Sequence, residues 1–455
     1  MKNHDFTTGG VAGPLVRFAL PVLAALFLQA MYGAVDLLVV GQFADKADVS
    51  AVATGAHIMM TLTNLVASLS MGATVLLGQQ IGEGKAKQGG ATIGACIVLF
   101  GSIGLALTVL TVPGAGLLAS VMQAPALGLT TTYIRICGMG MLVIIAYNLI
   151  GSIFRGIGDS VTPLITVAIA CVFNIVGDLL LVAVLHLGAA GAAIATVAAQ
   201  AVSVVISLLL VRRKHLPFSL SREQIHFDRP LISRVIQIGL PIAMSDLLVS
   251  ISFLVIQAIV NSLGVVASAG VGVAEKVCAF IMLVPSAFSQ AMSAFVAQNA
   301  GAGKFNRAVR SLYVGVGLSL IAGAIMSWLS IFHGQLLGGI FSNDHEVIVA
   351  SAEYLKAYGI DCLLTPIFFC AIGFFNGLGR TRFVMVQGIV SAFCVRVPVS
   401  WLMSRRIPVS LFHIGLATPC SSALQIVLCT WYLLTLKRQG LLDLRLRKAG
   451  ADRYV

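Results

Sequence analysis

The sequence predicts an all-α polytopic membrane protein with twelve transmembrane helices in two pseudo-symmetric six-helix lobes. Three observations lead to this prediction: the composition, the spacing of the apolar runs and an internal repeat. Of the 455 residues, 58% are hydrophobic and only 10% are charged, whereas ordinary soluble chains contain about 25% charged residues. This composition excludes a soluble globular enzyme, a disordered chain and a nucleic-acid-binding protein, although the net charge is +12.

Apolar runs that are long enough to cross a bilayer recur along the whole chain. A membrane-spanning helix needs about 20 consecutive apolar residues, and short polar loops separate twelve such runs. They are predicted to begin near residues 15, 51, 91, 126, 161, 189, 232, 267, 307, 348, 383 and 412.

The positions of the basic residues predict the orientation in the membrane. With the N-terminus in the cytoplasm, most of the 29 Lys and Arg residues fall on the termini and the even-numbered loops, as the positive-inside rule requires. Arg405 and Arg406 are a local exception. Both termini are therefore predicted to be cytoplasmic, and the chain is expected in the cell (inner) membrane. Four basic residues fall at membrane depth in this layout, namely Arg135, Lys276, Lys356 and Arg396.

The two halves of the chain repeat each other at an offset of about 220 residues. A Leu-Pro pair at 20–21 recurs at 240–241, and the motif QQIGEGK at 79–85 recurs as QNAGAGK at 298–304. The motif FRGIG at 154–158 recurs as FNGLG at 375–379.

The repeat predicts the domain organisation. We expect an N-terminal six-helix lobe over 1–212, a cytoplasmic linker over 213–230 and a C-terminal six-helix lobe with a short cytoplasmic tail over 231–455. Six helices return the chain to its starting side, so the two halves are parallel repeats. This architecture is typical of secondary transporters that work by alternating access.

Polar residues within the first lobe form a candidate cation-coupling group. A charged side chain at mid-span costs about 2.5–3.5 kcal/mol on insertion scales, so acids in spans are functional candidates. Asp36 is expected in the outer half of the first helix. Asn174 and Asp178 are four residues apart and share one face of the fifth helix. Thr196 is expected level with them on the sixth helix, so these four side chains can converge.

Two neighbouring carboxyl groups titrate as a coupled pair, which can bind a proton on one side of the membrane and release it on the other. The same carboxyl, amide and hydroxyl oxygens can ligate Na+, so Na+ at Asp36 and Asp178 remains the alternative. No other metal site and no cofactor is predicted. Because proline lacks a backbone donor, Pro21 is predicted to be the hinge at which the first helix bends when the charge of this group changes.

Charged residues in the second lobe form a further set of candidates. Glu275 and Asp361 are predicted to line the substrate cavity or to join its polar network. Asp246 is a third acid near the cytoplasmic start of the seventh helix. Arg396 has no acid in its own span, and we expect it to reach an acid on a neighbouring helix.

The two motifs that are similar to enzyme motifs each lack residues that the enzymes require. The glycine-rich motif at 79–85 lacks the GxxxxGK[ST] pattern of a phosphate-binding loop, and it is interpreted as a helix C-terminal cap with glycines at positive φ. GIGD at 156–159 is similar to the motif of intramembrane aspartyl proteases, but no Tyr-Asp pair accompanies it. We predict that the protein is not an enzyme and keep an intramembrane protease only as a remote alternative.

These features together resemble the multidrug and toxic compound extrusion (MATE) family over nearly the whole chain. The motifs after the second, fourth, eighth and tenth helices carry the resemblance. Pro21, Asp36, the Asn174/Asp178 pair and Thr196 resemble its DinF-like branch, which places its cation-coupling residues in the N-terminal lobe. The family pattern also implies that Tyr133 and Asn148 face the site.

The resemblance implies a secondary active antiporter. Such a protein exports organic, often cationic, compounds in exchange for protons or Na+. The expected partners are small amphipathic substrates and membrane lipid, with no nucleic acid, and the expected state is a monomer. A lipid-linked precursor flippase, or another exporter of the same superfamily, is the alternative.

Overall fold

The structure is a computed structural model that describes residues 5–213, 217–218 and 221–440. These residues form eleven helices that are long and apolar enough to cross a membrane, or twelve when one bent pair is counted as a single span. We number the twelve spans α1 to α12. Their bounds are α1 Ala12–Phe43, α2 Lys46–Gly82, α3 Gln88–Val121, α4 Leu127–Met139 with Met141–Ile157, α5 Val161–Val184, α6 Gly188–Arg213, α7 Arg229–Asn261, α8 Val265–Gly301, α9 Phe305–Phe332, α10 His345–Gly377, α11 Thr381–Ser404 and α12 Leu411–Arg438.

The predicted all-α fold with twelve spans is confirmed. Every predicted start lies within five residues of an observed start. Large apolar side chains remain exposed on the outer surfaces of the spans, for example Val109, Leu117, Ile321 and Phe332. Apolar side chains are stable in contact with hydrocarbon. The backbone is stable there too, because a helix satisfies its own backbone hydrogen bonds.

Helix α4 differs from a plain span, because its two parts meet at an angle of 54°. Gly140 stands at the break. A Cβ atom at this position would lie 2.5 Å from Cγ1 of Val197 on α6, so only glycine permits this close approach. The apolar run from residue 126 predicts one regular helix, and the bend is not evident from it.

The described chain forms two compact units. Unit 1 comprises Leu20–Ala243, and unit 2 comprises Asp5–Ala19 together with the residues from Met244 onward. Unit 1 has its apolar core around α2, α3 and α4, and unit 2 has its core around α8 and α10. Each unit therefore contains most of one sequence repeat.

The units differ from the predicted lobes at their first helices. The first part of α7, up to Ala243, belongs to unit 1, and the first part of α1, up to Ala19, belongs to unit 2. The reason in unit 1 is a backbone contact between α2 and α7. A Cβ atom at Gly72 would lie 2.4 Å from the carbonyl oxygen of Val235, and one at Gly239 would lie 2.2 Å from that of Leu69. Small residues allow helices in membranes to pack this closely.

The residues before α1 form an ordered strap on unit 2, which we define as residues 5–10. Phe6 is 1% exposed. Its ring stacks on Phe295 of α8 at a centroid distance of 5.1 Å and meets Phe18 of α1 edge-on at 5.3 Å. The strap is thereby anchored by an aromatic side chain in the unit.

Arg307, in the first turn of α9, holds the strap by its backbone. Its Nε donates to the carbonyl of Phe6 (2.8 Å) and its Nη1 to that of Gly9 (2.6 Å). Its Nη2 donates to the carbonyls of Thr8 (2.7 Å) and Gly10 (2.9 Å). One guanidinium group therefore satisfies four carbonyl groups that form no helix.

The second glycine motif also contributes to this contact. Asn299 donates to the carbonyl of Phe6 (3.1 Å), and Lys304 donates to that of Thr7 (2.8 Å). The predicted role of the motif as a helix cap is confirmed, since Gly84 and Gly303 have φ angles of +72° and +69°. Its binding of the strap is a role that the sequence did not reveal.

Asp5 is the exposed first residue of the strap, and its carboxylate is hydrogen-bonded to Thr7. The hydroxyl and the backbone N–H of Thr7 both donate to its carboxylate, at 2.6 and 2.8 Å. These hydrogen bonds hold the pKa of Asp5 below its ordinary value. The carboxylate is therefore charged at neutral pH and can keep both bonds.

We expect Arg307→Ala to release the strap. Hydrogen bonds to charged groups contribute about 1.5–3 kcal/mol each when well buried, and Arg307 is half-buried. The expected result is a lower melting temperature in detergent and faster protease cleavage before residue 12. Arg310→Ala is the matched control, because Arg310 is an exposed arginine one turn further along α9. Equal effects of the two substitutions would contradict this role of Arg307.

Candidate functional site

Four predicted residues of unit 1 meet between α1, α5 and α6. Asp36, Asn174 and Asp178 are 6%, 1% and 0% exposed, and Thr196 is half-buried. The close packing of α5 and α6 depends on small residues, because a Cβ atom at Gly177 would lie 3.0 Å from Cβ of Ala195. This contact brings the polar residues on either side of it together.

Hydrogen bonds connect three of these side chains. Thr196 Oγ1 donates to Oδ2 of Asp36 at 3.2 Å, and Asn174 Nδ2 donates to Oγ1 of Thr196 at 3.5 Å. The result is a short relay from the amide through the hydroxyl to the carboxyl group. The predicted convergence of these residues is therefore present in the fold.

The carboxyl group of Asp178 neighbours that of Asp36. Among the described residues, neither oxygen of Asp178 has a hydrogen-bond donor, and neither do Oδ1 of Asp36 and Oδ1 of Asn174. Buried acceptors without donors are costly. A proton shared by the two carboxyl groups, or a cation bound by these oxygens, would relieve that cost.

The basic residues of the described unit 1 do not compensate this pair. No ion pair within the described part of the chain involves Asp36 or Asp178. The described residues also hold no group of three His, Cys, Asp or Glu side chains that could bind a metal ion. The oxygen set fits a proton or an alkali cation better than a transition metal, which prefers nitrogen or sulfur ligands.

A second layer of polar side chains, which was not among the predicted site residues, surrounds the group. Tyr32, one turn before Asp36, forms a hydrogen bond with Gln200, one turn after Thr196. Gln29 Nε2 donates to the hydroxyl of Tyr147 at 3.0 Å. The signal was available in the sequence, because residues four apart share a helix face.

The two residues that the family pattern places near the site differ in their surroundings. Tyr133 is 3% exposed. Its ring packs on α2, where a Cβ atom at Gly55 would lie 2.4 Å from it, and its hydroxyl is within electrostatic range of Asp36. Asn148 instead donates to the carbonyl of Ile144 in its own helix at 2.8 Å. No hydrogen bond links Asn148 to the group in the described residues.

A change of helix type follows directly after Asp178. Residues Leu179–Val184 of α5 are π-helical. Such segments frequently mark functional sites, because they leave backbone groups less regularly paired. No local sequence pattern predicts this segment.

The predicted hinge lies next to a unit boundary. Pro21 is inside the continuous helix α1, one residue after α1 passes from unit 2 to unit 1. Pro241 holds the matching place in α7, close before the passage from unit 1 to unit 2 at Ala243. A bend at either proline would therefore act where the chain changes unit.

The candidates of the second half belong to unit 2 and form a separate group. Asp361 is 1% exposed and accepts a hydrogen bond from Thr365 at 2.9 Å. Glu275 is half-buried and forms no ion pair with the exposed Lys276 in the described structure. Glu275 and Asp361 therefore belong to unit 2, whereas the group around Asp36 belongs to unit 1.

Comparisons with known proteins agree on the kind of protein. The MatE family model matches residues 21–180 and 241–402. The probable multidrug resistance protein YpnP of Bacillus subtilis is 26% identical over 415 residues, which cover 89% of this chain and 91% of that protein. The multidrug export protein MepA of Staphylococcus haemolyticus is 21% identical, and the match covers 89% of this chain and 90% of that protein. The FAD transporter of Shewanella oneidensis is 24% identical, and the match covers 82% of each chain.

Solved structures share the fold. A crystal structure of MATE in the straight conformation has a TM-score of 0.89 at 18% identity and covers 96% of this chain and 99% of that one. A MOP superfamily transporter from Pyrococcus furiosus, described as having a binding pocket of reverse polarity, has a TM-score of 0.90 at 18% identity, with coverages of 96% and 98%. The family match spans well over half of the chain, and the predicted resemblance is confirmed: the chain belongs to the MatE family and is a membrane transporter, not an enzyme.

Proposed function

We propose that this protein is a secondary active multidrug efflux antiporter that exports organic, often cationic, compounds in exchange for protons or Na+. The observation that carries the proposal is the buried pair of Asp36 and Asp178, which has no basic partner in the described unit 1. The relatives named as multidrug resistance and export proteins support the substrate class.

The chemistry of the pair suits exchange with a cation. Two carboxyl groups in an apolar span cannot both carry a charge at low cost, since each charge is poorly solvated and repels the other. One bound proton, or one Na+ held with the oxygens of Asn174 and Thr196, removes this cost. No cofactor beyond this coupling ion is proposed.

Helix α1 can transmit the change of charge. Asp36 and Pro21 lie on the same continuous helix, and Pro21 leaves one carbonyl of the preceding turn without its helical donor. We propose that occupation of the acid pair alters the bend at Pro21 and thereby the cavity open to substrate. Alternating access then follows from the difference between the occupied and the empty states.

The remaining expectations form part of the same proposal. The protein acts as a monomer in the cell (inner) membrane with both termini in the cytoplasm, surrounded by lipid, and it belongs to the DinF-like branch. A lipid-linked precursor flippase would need several basic groups together in its cavity to hold a pyrophosphate. The four basic residues expected at membrane depth, Arg135, Lys276, Lys356 and Arg396, lie on four different spans, which disfavours that alternative.

We expect Asp36→Asn and Asp178→Asn to abolish coupled efflux. An amide cannot bind a proton, and it lacks the negative charge that would hold Na+, so efflux of a fluorescent cationic dye from proteoliposomes should fall to the level of empty vesicles. Asp45→Asn is the matched control, because Asp45 is an exposed carboxylate without a side-chain hydrogen bond, close to the end of the same helix. Dye efflux at the wild-type rate by Asp36→Asn would exclude this coupling group.

The same vesicles distinguish the coupling ions. An imposed pH gradient without Na+ should drive wild-type efflux if the acid pair binds a proton. An imposed Na+ gradient at equal pH should drive it if the oxygen set binds Na+. Efflux that needs neither gradient would contradict secondary active antiport.

We expect Pro21→Ala to slow transport while leaving dye binding nearly unchanged. Alanine restores the missing helical hydrogen bond and straightens α1 without touching the acid pair. Pro241→Ala is the matched control, because it makes the same change at the repeat position in α7, which lacks an acid pair. A larger loss of transport with Pro241→Ala than with Pro21→Ala would contradict the assignment of the hinge to α1.

A further inference from the structure

Unit 2 contains a buried charged group of its own around Arg396 of α11. Arg396 is 3% exposed, which is rare for an arginine unless it is paired. Polar and titratable side chains from four helices face it or its neighbours. They are Ser252 on α7, Glu275 and Cys278 on α8, Tyr354, Tyr358 and Asp361 on α10, and Ser422 on α12.

Arg396 is fixed in place by α7. Its Nη1 donates to Oγ of Ser252 at 3.0 Å, and its guanidinium carbon lies 4.4 Å from the ring centroid of Phe253. A stacked guanidinium on an aromatic ring is a stable arrangement for a buried cation. The charge is therefore held in one position by the unit itself.

Asp361 is the acid that lies within electrostatic range of Arg396. The two groups interact electrostatically, but the described residues contain no ion pair between them. Oδ2 of Asp361 accepts from Thr365 at 2.9 Å, whereas Oδ1 of Asp361 and Nε of Arg396 have no hydrogen-bond partner in the described part of the chain. The carboxyl group of Asp361 thus interacts electrostatically with the guanidinium group of Arg396 without a direct ion pair.

A comparison of the two repeats shows which residues of unit 2 replace the acid pair of unit 1. An offset of 220 places Ile256 at the position of Asp36 and Pro398 at that of Asp178, so unit 2 does not reproduce the acid pair. Both α5 and α11 nevertheless contain a π-helical segment, and each is bordered by a buried charge. Asp178 precedes the segment of α5, and Arg396 is the last residue of the segment Ser391–Arg396 in α11.

We propose that Arg396 is a resident cation for Asp361, so that unit 2 takes up no coupling cation and unit 1 alone sets the ion coupling. The proposal rests on the coupling role proposed for Asp36 and Asp178. Its physical content is that a covalently attached guanidinium performs in unit 2 the charge compensation that a mobile proton or Na+ performs in unit 1. Arg396 is in this sense a specificity-determining residue.

The test measures thermal stability in detergent, so that it does not depend on transport. All variants carry both Asp36→Asn and Asp178→Asn, which removes the two carboxyl groups of the acid pair and with them the response of unit 1 to cations. With Arg396 present, we expect the melting temperature to change little when Na+ is added or the pH is lowered. With Arg396→Met added, Asp361 is a buried carboxyl group without a cation. We then expect the melting temperature to rise on addition of Na+ or acid, and to fall as the pH increases.

Three further variants test the assignment. Arg396→Lys keeps a positive charge and should remain insensitive to added cations. Arg396→Gln removes the charge but can keep the hydrogen bond to Ser252, so it should show the same sensitivity as Arg396→Met and guards against a failure of the latter to fold. Asp361→Asn combined with Arg396→Met removes both charges and should lose the sensitivity again.

The outcomes separate this inference from the proposed function. Insensitivity of both Arg396→Met and Arg396→Gln to cations would overturn the inference, as would a cation response already present with Arg396 intact and removed by Asp361→Asn. Coupled transport by the Asp36→Asn protein would instead overturn the proposed function of unit 1, whatever the melting temperatures of the Arg396 variants.

Discussion

Among the residues that the structure describes, the buried pair Asp36 and Asp178 forms no ion pair with a basic side chain, and the arrangement of unit 1 depends on this constraint. A carboxylate in hydrocarbon is tolerated only with a proton, a cation or strong donors. Thr196 and Asn174 supply a partial network, which leaves acceptors of both acids unsatisfied. In the function proposed for this protein, a bound proton or Na+ satisfies these acceptors, and the difference between the occupied and the empty pair is what couples transport to the cation.

The glycines and prolines of the repeat explain how two units can share one scaffold. Gly84 and Gly303 end their helices in the same left-handed conformation, and Pro21 and Pro241 lie at corresponding places in α1 and α7. These residues determine where helices stop and bend, so they must recur in both halves. The charged residues do not determine the backbone conformation, so they can differ between the units.

The sequence predicted more of the fold than of the site. Long apolar runs and positive-φ glycines are local signals, so the twelve spans and the helix ends could be found. Helical spacing brought Asn174 and Asp178 onto one face, but the partners Tyr32 and Gln200 were missed although the same rule applied to them. The bend at Gly140, the two π-helical segments and the packing of Phe6 on Phe295 depend on contacts between distant residues, which no local pattern encodes.

The strap of residues 5–10 bears on the bend proposed for α1. Its aromatic anchor Phe6 is bound by unit 2, yet the chain continues from it through α1 to Asp36 of unit 1. The proposed bend of α1 at Pro21 lies between the strap, whose carbonyl groups accept hydrogen bonds from Arg307, and Asp36, whose carboxyl group accepts one from Thr196. In this proposal a change of charge at Asp36 alters the bend at Pro21, because translation of the whole helix would break the hydrogen bonds of the strap. The binding of Phe6 in unit 2 thus holds the start of α1 in place, so that the proposed hinge at Pro21 can bend the rest of the helix.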